Sequence, residues 1–551
     1  MVNFTTAQPY LHRAYGSLSS GAVISLPTHH GMGLSVFDAC VILGLVAAIL
    51  FGIRRSKQTR VVVPPGPKGL PLLGNVLDLP TSEPYLAALK WAKQYGDITY
   101  LHVCGLSVLF LNSSEVAMDL LDKRGSIYSD RPPLVMATDL CGYEVSPFQR
   151  YGDAHRRQRR LMQRALGAPC IRTYQPLLEV ETRALLHRLV TSPEEYDRHI
   201  LRYAGALTLL VVYGHKVTSN DDGFLTLGNY CMDLLANDIS PAPPKGVWAV
   251  DIFPSLKNLP DWVPFTSFKR KAATWGAKLS TFCDAPYAEV KEKMKEGTAL
   301  PSFCSTLLEE ERGCLTAEKE YDIKWAANSM FAASMDTVGT AMRHLILLMI
   351  LFPDKFAKAR EELDRVVQGR MPTFADRPFL PYVECILSEV LRWSCPVPLN
   401  LPHRLMEDDH YRGYFIPKGS FVVANIMAMT RDERLFPDPE AFIPERYDAS
   451  VDEATRKARD PRQWIFGFGR RRCPGLHLVE SSLWLSLVSI LGNLEATKAT
   501  DAHGNIIEPE VKFENMIFRM PSKFECNFKP RSEDHASLIL KAFVETSPAD
   551  R

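Results

Sequence analysis

One cysteine in the last fifth of the chain has the neighbours that a metal-binding thiolate needs. Cys473 ends a loop that reads FGFGRRRC from residue 466, and an apolar pattern over residues 476–490 predicts a buried helix directly after it. Unpaired N–H groups at the start of that helix, together with the arginines at 470–472, favour an ionised sulfur. A thiolate on haem iron pushes electron density toward O–O cleavage. The stretch therefore indicates a haem-thiolate centre, whereas an ordinary buried thiol is the alternative for one cysteine among twelve.

Two further pairs of polar residues lie inside apolar helical patterns. Glu389 and Arg392 stand three apart in the run 382–393, so a helix places them on one face, where such a spacing usually indicates a surface ion pair. Asp336 and Thr337 lie in the run 323–351, which has almost no charge near its centre. Aspartate is rarely buried without a partner, so this pair predicts a function, although a threonine bonded to its own helix is an equal alternative.

The loop at residues 466–475 fits Phe-x-x-Gly-x-Arg-x-Cys-x-Gly, with Phe466, Gly469 and Gly475 at fixed positions. On these residues the chain resembles the cytochrome P450 superfamily. Residues 404–409 and 411–414 and the extended N-terminal tail are similar to fungal microsomal members of secondary metabolism. The resemblance implies a mainly α-helical fold with small β-sheets, and haem b (iron protoporphyrin IX) with Cys473 as the axial ligand of its iron.

The same resemblance assigns roles to the polar pairs. Glu389, Arg392 and Arg446 would form a buried charge cluster behind the haem. Thr337 would lie beside bound oxygen, and Asp336 would connect it to solvent, because cleavage of O₂ needs protons on its distal atom. Many relatives have glycine where Ser334 stands here.

Four residues are expected at the haem propionates by resemblance. The family places Trp-x-x-x-Arg at a basic helix start, and Arg159 fits its second position, whereas His155 replaces the tryptophan. An imidazole N–H can still donate to a carboxylate. Arg471 and His403 are the other two expected partners.

The substrate pocket is read from the resemblance as a mostly apolar surface. Its expected residues come from the 331–333 helix face, the segment 397–401 and the region 134–145. The individual candidates are Phe331, Ala332, Ala333, Val397, Leu399 and Asn400. Asn400 would orient a substrate group or cap the backbone.

The N-terminus predicts a membrane anchor. Residues 33–53 contain a single charge, Asp38, and at ~1.5 Å per residue they span a hydrocarbon core of roughly 30 Å. Basic residues follow from Arg54, so we expect residues 1–32 in the lumen and the catalytic part in the cytosol, on a single-pass anchor in the endoplasmic reticulum membrane. A cleaved signal peptide is the alternative.

Residues 54–75 combine a basic stop-transfer stretch with a proline-rich hinge, 76–530 read as one catalytic domain, and 531–551 read as a C-terminal tail. Short β-type runs occur at residues 98–103, 108–111, 414–416 and 421–424. The cysteines show no zinc or disulfide pattern. A net charge of +1 argues against a nucleic-acid partner.

These features together predict a monooxygenase that inserts one oxygen atom from O₂ into a lipophilic terpenoid, polyketide or indole. No dinucleotide-binding domain is visible, so electrons should come from a separate NADPH–cytochrome P450 reductase. We expect it to dock on basic residues near the cysteine, namely Arg156, Arg157, Arg160 and Arg470 or Arg472. Two other functions compete: a non-oxygenating isomerase or dehydratase, and a haem sensor without turnover.

Overall fold

The computed structural model of the chain describes residues 62–80, 82–239, 247–514 and 517–546. The expected lumenal tail (1–32), the expected membrane segment (33–53) and the basic stretch after it lie outside the described residues.

The described residues form a mainly helical body, as the sequence predicts. Its longer helices are, in chain order, α1 Pro84–Tyr95, α2 Asp153–Leu166, α3 Ala168–Thr191, α4 Tyr196–Tyr213, α5 Gly223–Leu234, α6 Ser267–Glu296, α7 Phe303–Glu310, α8 Ala317–Leu351, α9 Pro353–Val367, α10 Pro381–Ser394, α11 Glu453–Arg459, α12 Leu476–Asn493 and α13 Glu533–Thr546. Short helices at Ser114–Ala117, Gly125–Tyr128, Ala249–Ile252 and Ile426–Thr430, and helical turns such as Met136–Leu140, Leu235–Ile239 and Pro444–Tyr447, connect them.

Helix α8 forms the centre of the body. Thr316 caps its first turn by accepting a hydrogen bond from the Lys319 N–H at 3.3 Å. Among the described residues α8 is the helix long and apolar enough to cross a membrane, but 78% of its most apolar stretch is buried inside the protein. A helix that is apolar on all sides is a core helix when other helices cover it. Here α4, α2 and α10 pack against α8 and supply that cover.

The small sheets lie at the edges of this helical body. Strands β1 Ile98–Val103, β2 Leu106–Leu111, β6 Phe421–Ala424 and β3 His403–Arg404 form a four-stranded sheet in the order β1-β2-β6-β3. Strands β4 Asp409–Tyr411 and β5 Tyr414–Ile416 pair with each other, as do β7 Leu494–Lys498 with β10 Cys526–Pro530 and β8 Phe513–Glu514 with β9 Met520–Pro521. The four β-type runs in the sequence all fall on strands, and the shorter pairs near the C-terminus have no comparable sequence signal.

The folded body is longer at both ends than the sequence indicates. The proline-rich segment is hydrogen bonded to the sheets, since the Pro65 carbonyl accepts from Tyr100 N at 2.8 Å and the Val62 carbonyl from Phe415 N at 2.8 Å. At the other end, the expected tail contains α13, which packs on α3 and stacks the Phe543 ring on His187 at 4.1 Å between centroids. The expected boundary at residue 530 therefore falls short of the last packed helix.

Candidate functional site

A cavity of ≈ 330 Å³ lies between α8 and the loop that precedes α12. Cys473 and the basic side chains of the lining lie close enough to act on one another electrostatically, and they form the basic end of the cavity. The rest of the lining, called the apolar end below, is mostly apolar and comes largely from α4, α5, α8 and adjoining loops. The cavity thus brings the predicted thiolate and the predicted oxygen-side threonine, Thr337, to one space.

The cysteine loop is closed by its own backbone. The Cys473 N–H donates to the Phe466 carbonyl at 2.7 Å, and Gly467 and Gly469 have φ angles of 77° and 50° that favour glycine. A Cβ on Gly469 would collide with the Leu121 carbonyl oxygen, so close packing as well as conformation requires glycine there. The loop leads into α12, which begins at Leu476.

The charge state expected for Cys473 needs a correction. Burial raises the pKa of the Cys473 thiol, and the Gly475 and Leu476 N–H groups and the Arg159 and Arg472 cations only oppose this rise. The helix start and the arginines therefore do act in the expected direction, but burial outweighs them in the protein alone. A metal cation bound to the sulfur supplies the charge that deprotonates such a thiol.

Three guanidinium groups, those of Arg131, Arg159 and Arg471, line the same end of the cavity. Burial lowers the pKa of all three, that of Arg471 to about 10. Among the described residues that line the cavity, none is acidic. An anion that enters this end therefore meets positive charge without a competing carboxylate on the lining. The sequence did not single out Arg131, because a lone arginine before two prolines has no distinctive local pattern.

Two buried histidines carry ring nitrogens without a partner in the described structure. They are Nδ1 of His155 and Nε2 of His403. Burial and the nearby arginines lower the pKa of both rings, that of His155 to about 3, so that both are neutral at physiological pH. His403 Nδ1 lies 2.8 Å from the Tyr128 carbonyl, which assigns the proton to Nδ1. The unopposed arginines and Nδ1 of His155 fit the two carboxylates of a haem, with Cys473 as the iron ligand. His403 does not fit its expected role at a propionate, because its Nε2 has no proton to donate in this tautomer and the residue is not among the described residues that line the cavity.

The two residues of the predicted proton relay, Asp336 and Thr337, differ in whether they line the cavity. Thr337 lines the cavity, and its hydroxyl donates to the Ala333 carbonyl at 2.8 Å, as in the alternative that bonds it to its own helix. Asp336 is not among the described lining residues. Burial raises its pKa to about 6, and Asp233 on α5 acts in the same direction, whereas Arg343 opposes it.

Four of the six pocket candidates line the cavity, namely Ala332, Ala333, Val397 and Asn400. The expectation was wrong for Phe331 and Leu399. The next residue of a helix is rotated by about 100°, and the Phe331 ring points into the core, 5.2 Å from that of Phe282. Leu399 packs instead on the apolar cluster beside the four-stranded sheet.

The charge cluster lies behind this site. Arg446 Nε is 3.3 Å from a Glu389 carboxylate oxygen, and the Ile443 N–H donates to the same carboxylate at 2.9 Å. Arg392 completes the cluster from the same helix as Glu389.

The basic face near the cysteine is only partly free. Arg156 and Arg470 are exposed and lie over the Tyr151 ring, at 5.6 and 5.4 Å from its centroid. Arg157 was expected to join them, but it pairs with Asp322 at 2.5 Å and with Glu318 at 2.9 Å. Because its charge is already paired with carboxylates of α8, Arg157 is not expected to bind an acidic partner protein.

Comparison with known proteins agrees with the site. A family model for cytochrome P450 matches residues 64–528. The chain belongs to the cytochrome P450 family. It is 40% identical over 506 residues to cytochrome P450 monooxygenase claT of Ampulloclitocybe clavipes, which covers 92% of this chain and 98% of the relative. It is 39% identical to cytochrome P450 monooxygenase 176 of Postia placenta (89% and 94% covered), and 38% identical to claR of the first organism (91% and 92%).

The predicted family and enzyme class are thereby confirmed. The chain is a P450 monooxygenase with a mainly helical fold and small sheets, and P450 enzymes use haem, O₂, a small-molecule substrate and a redox partner.

Proposed function

We propose that this P450 hydroxylates or epoxidises a lipophilic terpenoid, polyketide or indole in fungal secondary metabolism, with haem b as its cofactor. The observation that carries the proposal is the division of the cavity. Basic groups cluster with Cys473 in one part of the lining, and the rest of the lining, which includes Thr337, is mostly apolar.

The apolar end suits a neutral substrate. Its lining includes Val211, Leu235, Val338 and Phe518, and it contains no charged side chain among the described lining residues apart from those of the basic end. Burial of a charged substrate there would leave the charge without a partner. Asn400 does not compensate, since its Oδ1 accepts from the Leu401 N–H at 2.7 Å in a local backbone contact.

When bound, haem supplies the activation of O₂ that monooxygenation requires. Cys473 would hold the iron, and Arg131, Arg159, Arg471 and His155 would hold the propionates. The Thr337 hydroxyl donates its hydrogen bond to the Ala333 carbonyl, so its oxygen remains an acceptor toward the cavity. Asp336, with its raised pKa of about 6, can give and take a proton near neutral pH.

Membrane association is part of the proposal. Large apolar side chains are exposed in the segment between α5 and α6, where Phe265 is 96% and Trp262 83% exposed, and in the segment before β1, where Leu77 is 80% exposed. Exposed aromatic and leucine side chains of this kind suit contact with lipid. They support an endoplasmic reticulum enzyme whose anchor precedes the described residues and whose catalytic domain faces the cytosol.

Electrons are proposed to come from NADPH through a separate cytochrome P450 reductase. The exposed Arg160 and Arg470 would meet acidic groups of that partner. Reversing both charges to glutamate should slow reductase-supported turnover about tenfold and spare peroxide-supported turnover. The matched control is Lys541→Glu on the remote helix α13, which should change neither rate. Equal loss in both assays would reject docking at this face.

The test of the proposed function is an optical titration of the haem-loaded full chain with a panel of terpenoids, polyketides and indoles. A compound that displaces a ligand from ferric iron shifts the Soret band. Compounds that shift it are then incubated with reductase and NADPH, and the oxygenated product is measured against the NADPH and O₂ consumed. Product formation without NADPH consumption would contradict monooxygenation and favour the isomerase or dehydratase.

A further inference from the structure

Arg519 is a buried arginine whose side chain has no carboxylate partner in the described structure. It is 5% exposed and directly precedes strand β9, which pairs with β8. Burying a guanidinium group without a counter-charge is costly, so the position calls for a physical explanation. Nothing in the haem chemistry uses this residue, because it does not line the cavity.

The end of helix α10 takes the place of the missing carboxylate. Arg519 Nη1 donates to the carbonyl of Trp393 at 2.9 Å and to that of Ser394 at 3.2 Å. These are the last residues of α10, where carbonyls lack intrahelical donors and carry the negative end of the helix dipole. Burial lowers the pKa of Arg519 to about 9, which keeps the group charged at neutral pH.

Two aromatic faces complete the environment. The central carbon of the guanidinium group lies 4.7 Å from the centroid of the Trp393 ring and 3.8 Å from that of Phe513. A planar cation between two rings gains from both faces, and a lysine cannot reproduce this stacking. Because Trp393 belongs to α10 and Phe513 to β8, the side chain fastens the hairpin to the helix end.

Both fastened segments continue into walls of the cavity. Directly after α10, Pro396 and Val397 line it, and directly before Arg519, Ile517 and Phe518 line it. The backbone adds a second link, since the Arg519 N–H donates to the Pro396 carbonyl at 2.9 Å. Arg519 is therefore the residue at which the two walls are joined by both its backbone and its side chain.

We propose that Arg519 is a positioning residue that fixes the distance between the Phe518 wall and the Val397 wall, and so sets the width of the molecule that the cavity admits. The inference rests on the proposed function only in taking this cavity as the substrate site. It predicts that loss of the guanidinium group relaxes selection by size, while the haem and its thiolate ligand stay in place.

The test measures the affinity of three iron-binding azoles of increasing width, namely imidazole, 4-phenylimidazole and clotrimazole. Dissociation constants are read from the Soret shift of the haem-loaded full chain. Arg519→Met keeps an unbranched apolar stem but removes the guanidinium group, so that the Ser394 carbonyl loses its side-chain donor and the Trp393 carbonyl loses one of its two. The ratio between the affinities of the widest and narrowest azole should change by at least about fivefold, since a single methylene in a shaped pocket is worth about 10-fold or more.

Arg431→Lys is the matched control. Arg431 Nη2 donates to the same Trp393 carbonyl at 2.9 Å, but among the described residues no hydrogen bond or ion pair joins its side chain to the β8–β9 pair. The Arg431→Lys variant should lower the unfolding midpoint without changing the ratio between the affinities of the widest and narrowest azole. An unchanged ratio in Arg519→Met would overturn the proposal.

Arg519→Lys is the second variant, in case the methionine variant does not load haem. It keeps the charge and loses the stacking, so the ratio of azole affinities should change in the same direction as in the methionine variant, but by less. Loss of haem from both variants would overturn the positioning role in favour of a purely structural one. Azole binding needs no turnover, so a wrong substrate class would leave this result intact.

Discussion

Glu389 and Arg392 form a two-point ion pair in the interior of the protein, with Arg392 Nε and Nη2 at 2.7 and 2.8 Å from the two carboxylate oxygens of Glu389. Both side chains are 0% exposed. The remaining nitrogen, Nη1, donates to the carbonyls of Thr430 at 2.9 Å and Pro439 at 2.7 Å. The guanidinium group is thus fully bonded, and it holds the chain after β6 against α10.

Replacing Glu389 by alanine should abolish haem incorporation. The substitution leaves Arg392 buried without its counter-charge, which typically costs about 3–5 kcal/mol. Because the cluster joins α10 to the segment that leads to the cysteine loop, we expect the loop to lose its fixed position. The measurement is the reduced-CO spectrum per mole of purified protein, together with the unfolding midpoint.

Glu384→Ala is the matched control for this prediction. Glu384 lies on the same helix and pairs with Arg377 at 2.7 Å, but its side chain is partly exposed. Pairs that water reaches contribute about 0–1 kcal/mol, so haem content should stay close to that of the wild type. Normal haem content in Glu389→Ala would contradict the structural role of the cluster.

Local spacing predicted the features that depend on a single element. A spacing of three positions on a helix places Glu389 and Arg392 on one face, and the loop glycines predicted the turn at the cysteine. Contacts between distant segments had no such signal. One example is Arg131, which donates to the carbonyls of Leu401 and Pro402 at 2.6 and 2.8 Å. Arg519 was missed for the same reason, because its hydrogen-bond partners lie more than a hundred residues earlier in the chain.

The stability of the protein should depend on the ionisation of Asp336. Its pKa is raised from 3.8 to about 6, chiefly by burial, so the folded state binds a proton more tightly than the unfolded state does. The contribution of Asp336 to the free energy of unfolding therefore falls as pH rises from about 4 to about 6, by at most about 3 kcal/mol, and is level above that range.

Asp336→Asn removes this titration, so the difference in urea midpoint between variant and wild type should grow in favour of the variant from pH 4.5 to 6.5. Asp251 has a raised pKa of about 6 as well, but it titrates equally in both proteins. Parallel midpoint curves would contradict the prediction.

His155 should hold a propionate as a neutral donor. Burial and the arginines of the site lower its pKa to about 3, so the ring is uncharged between pH 5 and 8 before a propionate binds. His155→Leu should speed haem transfer to apomyoglobin about tenfold, since a hydrogen bond to a charged group is worth about 1.5–3 kcal/mol.

His155→Trp restores an N–H at the position where relatives have tryptophan, so it should release haem at nearly the rate of the wild type. A leucine variant that releases haem no faster than the wild type would show that the imidazole does not contact the propionate.

Asp251 joins two segments that are far apart in the chain. It lies in the helix Ala249–Ile252, is 8% exposed, and accepts a hydrogen bond from the Met136 N–H at 2.9 Å. Tyr143, in the segment that follows Met136, and Leu235, which precedes Asp251 in the chain, both line the cavity. Asp251→Ala leaves a buried N–H group without a partner, which costs about 1–3 kcal/mol and loosens the link between the two segments near the cavity wall.

The rate at which 4-phenylimidazole leaves the iron of the haem-loaded Asp251→Ala protein, measured by stopped flow, should therefore rise about tenfold, since about 1.4 kcal/mol corresponds to a factor of ten. Asp251→Asn keeps an acceptor oxygen and should restore most of the slow release. Lys257→Ala is the matched control, because it removes only the half-exposed ion pair between Lys257 and Asp139 at 2.6 Å in the same pair of segments. Equal release rates in the alanine variant at 251 and the wild type would mean that the azole leaves by a path that this contact does not close.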